Sequence, residues 1–308
     1  MSRVRAAVIG VGYLGRFHAQ KYAAMADVDL VGIVDTDADR AREIAREVGA
    51  RPFTSCGGLP ENIDAVSIAV PTTAHAEVAI PFLKRGVAVL LEKPISARLD
   101  EARAIIDAAA RGGAKLQIGH LERFNPALLK LSGSIKNPMF IEAHRISPFK
   151  VRGADVDVVL DIMIHDIDII LSLVASPIQS LEAVGVPVLT DAVDIANARL
   201  RFESGCIANI TASRVSADTM RKIRMFQSNA YISIDFAKAA VDVYTLEENR
   251  QISHNHLTMS ESDALASEIR SFVDAVRGLA EVRVDGIAGL RAIEVAHAIK
   301  DSMIIPKQ

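Results

Sequence analysis

Ala6-Ala7-Val8-Ile9-Gly10-Val11-Gly12-Tyr13-Leu14-Gly15 is the stretch on which the fold turns. A short apolar run breaks into Gly-x-Gly-x-x-Gly, and residues 16–26 then read as a helix. Such a turn between strand and helix asks three different things of glycine: a tight turn at Gly10, close approach of a pyrophosphate to the backbone at Gly12, and close packing of helix on strand at Gly15. The helix N-terminus then faces the phosphates, with Tyr13 and Leu14 in the glycine turn that leads to it. A second apolar strand, 30–34, ends at Asp35, which lies 20 residues after Gly15. A carboxylate there accepts hydrogen bonds from the adenosine ribose hydroxyls and repels a 2′-phosphate. Thr36 follows where an arginine would have favoured that phosphate, so the expected cofactor is NAD in preference to NADP.

Downstream the alternation continues, with helices at 37–48, 74–85 and 100–111 and strands at 64–70, 87–91 and 116–119. Strands alternating with helices predict a doubly wound parallel sheet, whose ligands lie beyond the carboxyl ends of the strands. Those ends carry Pro71-Thr72-Thr73-Ala74-His75, Glu92-Lys93-Pro94 and His120-Leu121-Glu122-Arg123-Phe124-Asn125-Pro126. Pro71, Thr72, His75, Glu92 and Lys93 are therefore candidates to meet the cofactor, and the Lys93 ammonium is placed to polarise a substrate oxygen near a nicotinamide. His18, one turn into the first helix, reads as a packing residue.

The chain has 308 residues, half of them hydrophobic, and 35 basic against 38 acidic side chains for a net charge of −3. That length supports two domains, and no basic block of the kind that follows nucleic acid or an anionic membrane is present. The N-terminal apolar run is too short for a secretory signal and no segment approaches a membrane span, so a cytoplasmic protein is expected. Cys56 and Cys206, the 2 cysteines, have neither disulfide nor metal-ligand spacing.

A second chemically rich stretch is Asp161-Ile162-Met163-Ile164-His165-Asp166-Ile167-Asp168. In an α-helix Asp161, His165 and Asp168 fall on one face, where carboxylates hold and tune an imidazole; the alternative is a buried helix whose polar residues merely align.

Taken together, Gly10-x-Gly12-x-x-Gly15, Glu92-Lys93-Pro94 and Asp161-x-x-x-His165-x-x-Asp168 make the chain resemble the Gfo/Idh/MocA family of NAD(P)-dependent sugar and cyclitol oxidoreductases. The resemblance implies an N-terminal Rossmann domain (1–120), a C-terminal α/β domain (121–308) built on a large open, mainly antiparallel sheet, a last helix (about 287–303) packed back on the Rossmann domain, and a catalytic site between the two. It implies that Lys93 contacts the reacting hydroxyl and nicotinamide, that His165 takes the hydroxyl proton, and that Asp161 positions the substrate or His165. Asp168 braces the helix. Two departures stand out. Val158-Val159-Leu160 and Met163 occupy positions where small residues and glycine are frequent in the family, and Pro71-Thr72-Thr73 replaces its Thr-Pro-Asn. Segments 120–126 and 152–161 are similar to a subgroup that includes UDP-N-acetylglucosamine 3-dehydrogenases, for which Arg123, Asn125, Arg145 and Arg152 are candidate substrate ligands. Oxidation or reduction of a free sugar, inositol or other small carbonyl compound is the alternative, and a non-catalytic NAD-binding regulatory protein is a third reading.

In the second half, 138–144, 180–188, 194–202, 206–213, 221–227 and 231–235 read as strands with short turns, hence an antiparallel sheet. Apolar residues on both faces of several of them predict a homodimer or homotetramer through this sheet. Residues 241–258 read as a polar, irregular segment in which His254 and His256 are simply exposed, so no metal is assigned. Residues 260–277 form an amphipathic helix with Ala266, Ile269, Phe272, Val273 and Val276 inward.

Overall fold

The apolar run before the glycines forms β1 (Val4–Ile9), and strands and helices then alternate: α1 (Tyr13–Ala23), β2 (Val28–Val34), α2 (Ala38–Val48), β3 (Pro52–Phe53), β4 (Ala65–Ile68), α3 (His75–Lys84), β5 (Ala88–Glu92), α4 (Leu99–Gly112) and β6 (Leu116–Gly119). In the computed structural model, which describes residues 3–131, 133–149, 157–259 and 263–306, these strands are all parallel, in the order β3-β2-β1-β4-β5-β6. This is the doubly wound sheet expected from the alternation. The order reverses between β1 and β4, so the glycine turn leaves β1 at the switch point where such sheets bind ligands. Local signals set the helix ends: the Asp37 carboxylate accepts from the N–H groups of Asp39 (3.0 Å) and Arg40 (3.1 Å), and α2 stops at Gly49 in the left-handed region, φ 72°.

The chain continues through α5 (Pro126–Lys130), β7 (Phe140–Ile146), α6 (Ile164–Leu173), β8 (Ile178–Val186), β9 (Ile195–Phe202), β10 (Ile207–Ser213), β11 (Met220–Gln227), β12 (Ala230–Asp235), β13 (Ala240–Leu246) and β14 (Ile252–Thr258). With β15 (Met303–Ile304) they make a nine-stranded sheet, order β14-β13-β12-β11-β7-β10-β9-β8-β15. It is antiparallel except for β7–β10 and β8–β15. Alternate residues of β7, β9 and β10 are buried, leaving a second, half-exposed face. On that face Phe140, Phe226, Tyr231, Tyr244 and His254, directly paired across five strands, stack at centroid spacings of 5.7, 5.0, 5.6 and 4.1 Å.

One expectation is corrected. Residues 241–258 are a hairpin, β13 and β14, and not an irregular loop. At the sheet edge both faces of β14 meet water, so its sequence lacks the apolar alternation that marks a half-buried strand, and pairing to β13 supplies the order.

Two helices follow, α7 (Ala264–Val276) and α8 (Gly286–Asp301). The chain divides into two compact units, Met1–Leu121 with Asp263–Leu290, and Glu122–Ser262 with Arg291–Gln308. Ile269, Phe272 and Val273 of α7 complete the core of the first unit, against Val4, Val8, Tyr22 and Ile33. Among the described residues no helix is long and apolar enough to cross a membrane.

Candidate functional site

The three glycines of the first turn meet three different surroundings. A Cβ at Gly10 (φ 80°) would come within 2.9 Å of the Ala69 main chain, and one at Gly15 within 1.8 Å of the Gly10 carbonyl oxygen. Both glycines are required by the protein's own packing. At Gly12 a Cβ would meet nothing within 4 Å, so this position keeps the backbone open towards a ligand. The exposed Tyr13 and Leu14 flank it at the start of α1. Asp35, at the end of β2, accepts from the N–H groups of Val11 (2.9 Å) and Asp37 (2.9 Å), and so joins the glycine turn to the start of α2. Arg40, which the sequence reading passed over, lies 3.6 Å from the Asp35 carboxylate. Thr36 is exposed beside it, and Pro71 and Thr72 follow β4 at the same, carboxyl end of the sheet's strands. An open glycine backbone at a helix N-terminus with a carboxylate one strand away fits a dinucleotide.

His75 is buried, with Nδ1 2.9 Å from the Pro94 carbonyl oxygen and Nε2 3.1 Å from that of Val70. Burial holds its pKa below the ordinary histidine value. It ties the loop after β4 to the Lys93–Pro94 turn, where Lys93 is half-buried. Behind that turn His18 Nε2 lies 3.0 Å from Glu92 Oε1, and His18 Nδ1 3.2 Å from Ser67 Oγ, itself 2.9 Å from the Tyr22 hydroxyl. The Lys93 N–H donates to Glu92 Oε2 at 3.2 Å. Burial pushes the Glu92 carboxyl up, but the His18 hydrogen bond and the nearby Lys93 charge hold it below the usual carboxylate range. Glu268 of α7 is wholly buried, and neither carboxyl oxygen has a hydrogen-bond partner among the described residues. Burial, then the Glu92 charge, pushes its pKa well above the ordinary value. Ser67, Tyr22 and Glu268 were not foreseen from sequence. The available signal was spacing, since Glu268 stands four residues before Phe272 and shares its inward face.

In the second unit α6 is preceded by a π-helical turn, Val159–Met163. Asp157 caps it, its Oδ1 accepting from the N–H groups of Val159 (2.9 Å) and Leu160 (3.1 Å). Asp161 lies in this turn and His165 in the first turn of α6, both half-buried. The wider turn replaces the pure α spacing between them, a local irregularity that recurs at functional sites. Arg145 of β7 is buried; its Nη2 donates to Asp166 Oδ1 at 2.9 Å and its Nη1 to Glu122 Oε1 at 2.7 Å. Burial opposes the Arg145 charge, but the two carboxylates more than offset it and hold its pKa above the ordinary value. Arg123 donates to Asp168 Oδ1 at 3.3 Å, and Asn125 caps α5 by accepting from Ala127 N–H at 3.0 Å. The 122–125 segment and α6 are thereby laced together through Glu122, Arg123, Arg145, Asp166 and Asp168. Arg152 lies outside the described residues.

Residues 4–120 match the model of an oxidoreductase family with an NAD-binding Rossmann fold, and residues 139–233 match the GFO/IDH/MocA C-terminal domain. The chain is 39% identical to a UDP-N-acetylglucosamine 3-dehydrogenase of Acidithiobacillus ferrooxidans, over 97% of both chains. A solved structure of that dehydrogenase superposes with a TM-score of 0.93, covering 98% of each chain. An inositol 2-dehydrogenase of Rhizobium meliloti is 26% identical over 99% of this chain and 98% of its own. The chain belongs to the GFO/IDH/MocA family of oxidoreductases and is a dehydrogenase.

Proposed function

We propose that this dehydrogenase oxidises a ring hydroxyl of a nucleotide sugar, C3 of a UDP-N-acetylhexosamine, with NAD as the hydride acceptor. The observation that carries the reading is the 39% identity, spread over 97% of both chains, to a dehydrogenase named for that chemistry. A dinucleotide held by its pyrophosphate at the glycine turn would supply the hydride chemistry through its nicotinamide. The chain's own residues do the rest. A carbinol carbon releases hydride readily only as its hydroxyl proton leaves, because a protonated ketone is a poor product. His165 takes that proton on its imidazole as general base. Lys93 stabilises the negative charge that develops on the oxygen. Asp161 orients His165 or the sugar. Gly10, Gly12, Gly15, Tyr13 and Leu14 receive the pyrophosphate, Asp35 and Thr36 the adenosine ribose, and Pro71, Thr72 and Glu92 support the nicotinamide end. Arg123, Asn125 and Arg152 serve the nucleotide diphosphate. Arg145 and His75, each engaged with protein partners, hold the segments that carry those groups. The stacked aromatic row on the open face of the second sheet supports a homo-oligomer formed through that face.

The test is NADH absorbance from protein, NAD and UDP-N-acetylglucosamine with the ketone trapped, run beside myo-inositol and free sugars. Turnover of the UDP-sugar is expected, with a fall of about 10²–10⁴-fold in kcat for Lys93→Ala and His165→Ala. Near wild-type turnover in both variants sinks the site assignment. Turnover of inositol with the UDP-sugar inert replaces the substrate, a reading that the likeness to inositol 2-dehydrogenase supports. Asp35→Ala should raise NADP use relative to NAD about tenfold or more, by removing the repulsion of a 2′-phosphate.

A further inference from the structure

We propose that Asp242, His254 and His256 form a binding site for a divalent transition-metal ion of the zinc class, on the edge hairpin of the second sheet. The site follows from strand geometry. His254 and His256 are two apart on β14 and so project from one face, while Asp242 on β13 stands directly opposite His256. Asp242 Oδ1 lies 2.9 Å from His254 Nε2 and 2.8 Å from His256 Nδ1. All three donor atoms fall within 4.8 Å of one another. Ligands bonded to zinc at about 2.0–2.2 Å in a tetrahedron stand roughly 3.3 Å apart, so a small outward movement of each side chain opens the space for an ion.

Two neighbours prepare the ligands. The Tyr244 ring stacks on His254 at 4.1 Å and 3° between planes, which fixes the imidazole against rotation. Thr258 Oγ1 lies 3.3 Å from His256 Nε2. A hydroxyl both donates and accepts, so it serves the free tautomer and also receives Nε2–H once the Nδ1 lone pair is given to a metal. Two imidazoles and one carboxylate suit zinc, nickel or copper and not magnesium or calcium, whose preference is for oxygen. Binding displaces the protons now shared with Asp242 to solvent or to the far ring nitrogens and leaves a fourth position for water. These residues stand apart from Lys93, Asp161 and His165 in sequence and serve no step of the proposed reaction. The ion would hold the edge strand β14 to its neighbour β13.

The experiment is calorimetric titration of chelator-stripped full-length protein with Zn²⁺ alone, followed by Co²⁺ with visible absorption. Wild-type protein should take up zinc and give the intense absorption of four-coordinate Co²⁺. His254→Gln, His256→Gln and Asp242→Asn should each weaken zinc at least as much as loss of a metal-orienting partner does, roughly 10–100-fold. The double variant His254→Gln/His256→Gln should lose both signals while still binding NAD as wild type does. His254 and His256 are exposed, so these changes spare the core, and the single variants carry the test if the double variant does not fold. No zinc uptake by wild type, or uptake unchanged in the variants, overturns the proposal.

Discussion

Two buried polar clusters, one in each unit, can be set side by side. In the second unit Arg145 brings a permanent positive charge against Asp166 and Glu122. In the first, the carboxyls Glu92 and Glu268 lie close enough for the Glu92 charge to raise the Glu268 pKa, and the hydrogen-bonded partner of Glu92 is His18. Burial raises the Asp166 pKa, but the Arg145 guanidinium stays charged at any pH a cell meets, and its planar fork fixes β7 against α6. In the carboxyl cluster one acid is pushed towards its neutral form and the other towards its ionised form, so its state depends on protons. A buried arginine therefore makes a fixed brace, whereas a buried acid pair makes a cluster sensitive to pH.

The largest expected effect breaks the brace. Arg145→Ala leaves the buried Asp166 and the half-buried Glu122 without their cation and should cost about 3–5 kcal/mol in urea unfolding, with Arg145→Lys recovering only part, for want of a bidentate fork. The opposite sign is expected next. Glu268→Met removes a buried carboxyl with no hydrogen-bond partner among the described residues and should stabilise the chain at neutral pH by roughly 1–3 kcal/mol. The same variant tests the pH dependence. Because the Glu268 pKa is raised on folding, the folded chain binds more protons than the unfolded one above pH 4.5, and its stability falls as pH rises from there through the raised value. In Glu268→Met that slope should disappear from urea midpoints measured across the window. Glu92 acts in the other direction. Its pKa is lowered on folding, so the stability it adds is present above pH 4.5 and is lost as pH falls through the folded value; Glu92→Gln should flatten the acid side. The smallest effect concerns a pair outside both clusters: Arg224→Ala, which breaks a partly exposed bridge to Glu142, should cost at most about 1 kcal/mol.

The first sheet was legible because its signals are local. Buried parallel strands are continuous apolar runs, and Gly10, Gly12, Gly15 and Asp35 keep a fixed spacing that the turn and the next strand end impose. The open antiparallel sheet was legible wherever one face is buried, from β8 through β12. Its edge was not, since Ser253-His254-Asn255-His256 is polar on both faces and Arg250, not glycine, takes the positive φ of 64° in the intervening turn. Glu268 was missed for a different reason. An amphipathic helix shows that it has an inner face, but whether a carboxyl on that face is sealed depends on which sheet receives it, and β1 lies more than 250 positions earlier. Arg145 could be read as a ligand or as an ion pair because Glu122 and Asp166, which settle its surroundings, are distant in sequence.

That the first unit borrows Asp263–Leu290 bears on how the protein is made. During synthesis, β1 to β6 leave the ribosome well before Ile269, Phe272 and Val273 exist to seal their core. At roughly 5–20 residues per second the intervening segment takes on the order of ten seconds to appear. Through that interval the nucleotide-binding sheet carries an open apolar flank, while β7 to β14 of the second unit leave the ribosome ahead of α7 and only its last segment, from Arg291 on, comes after.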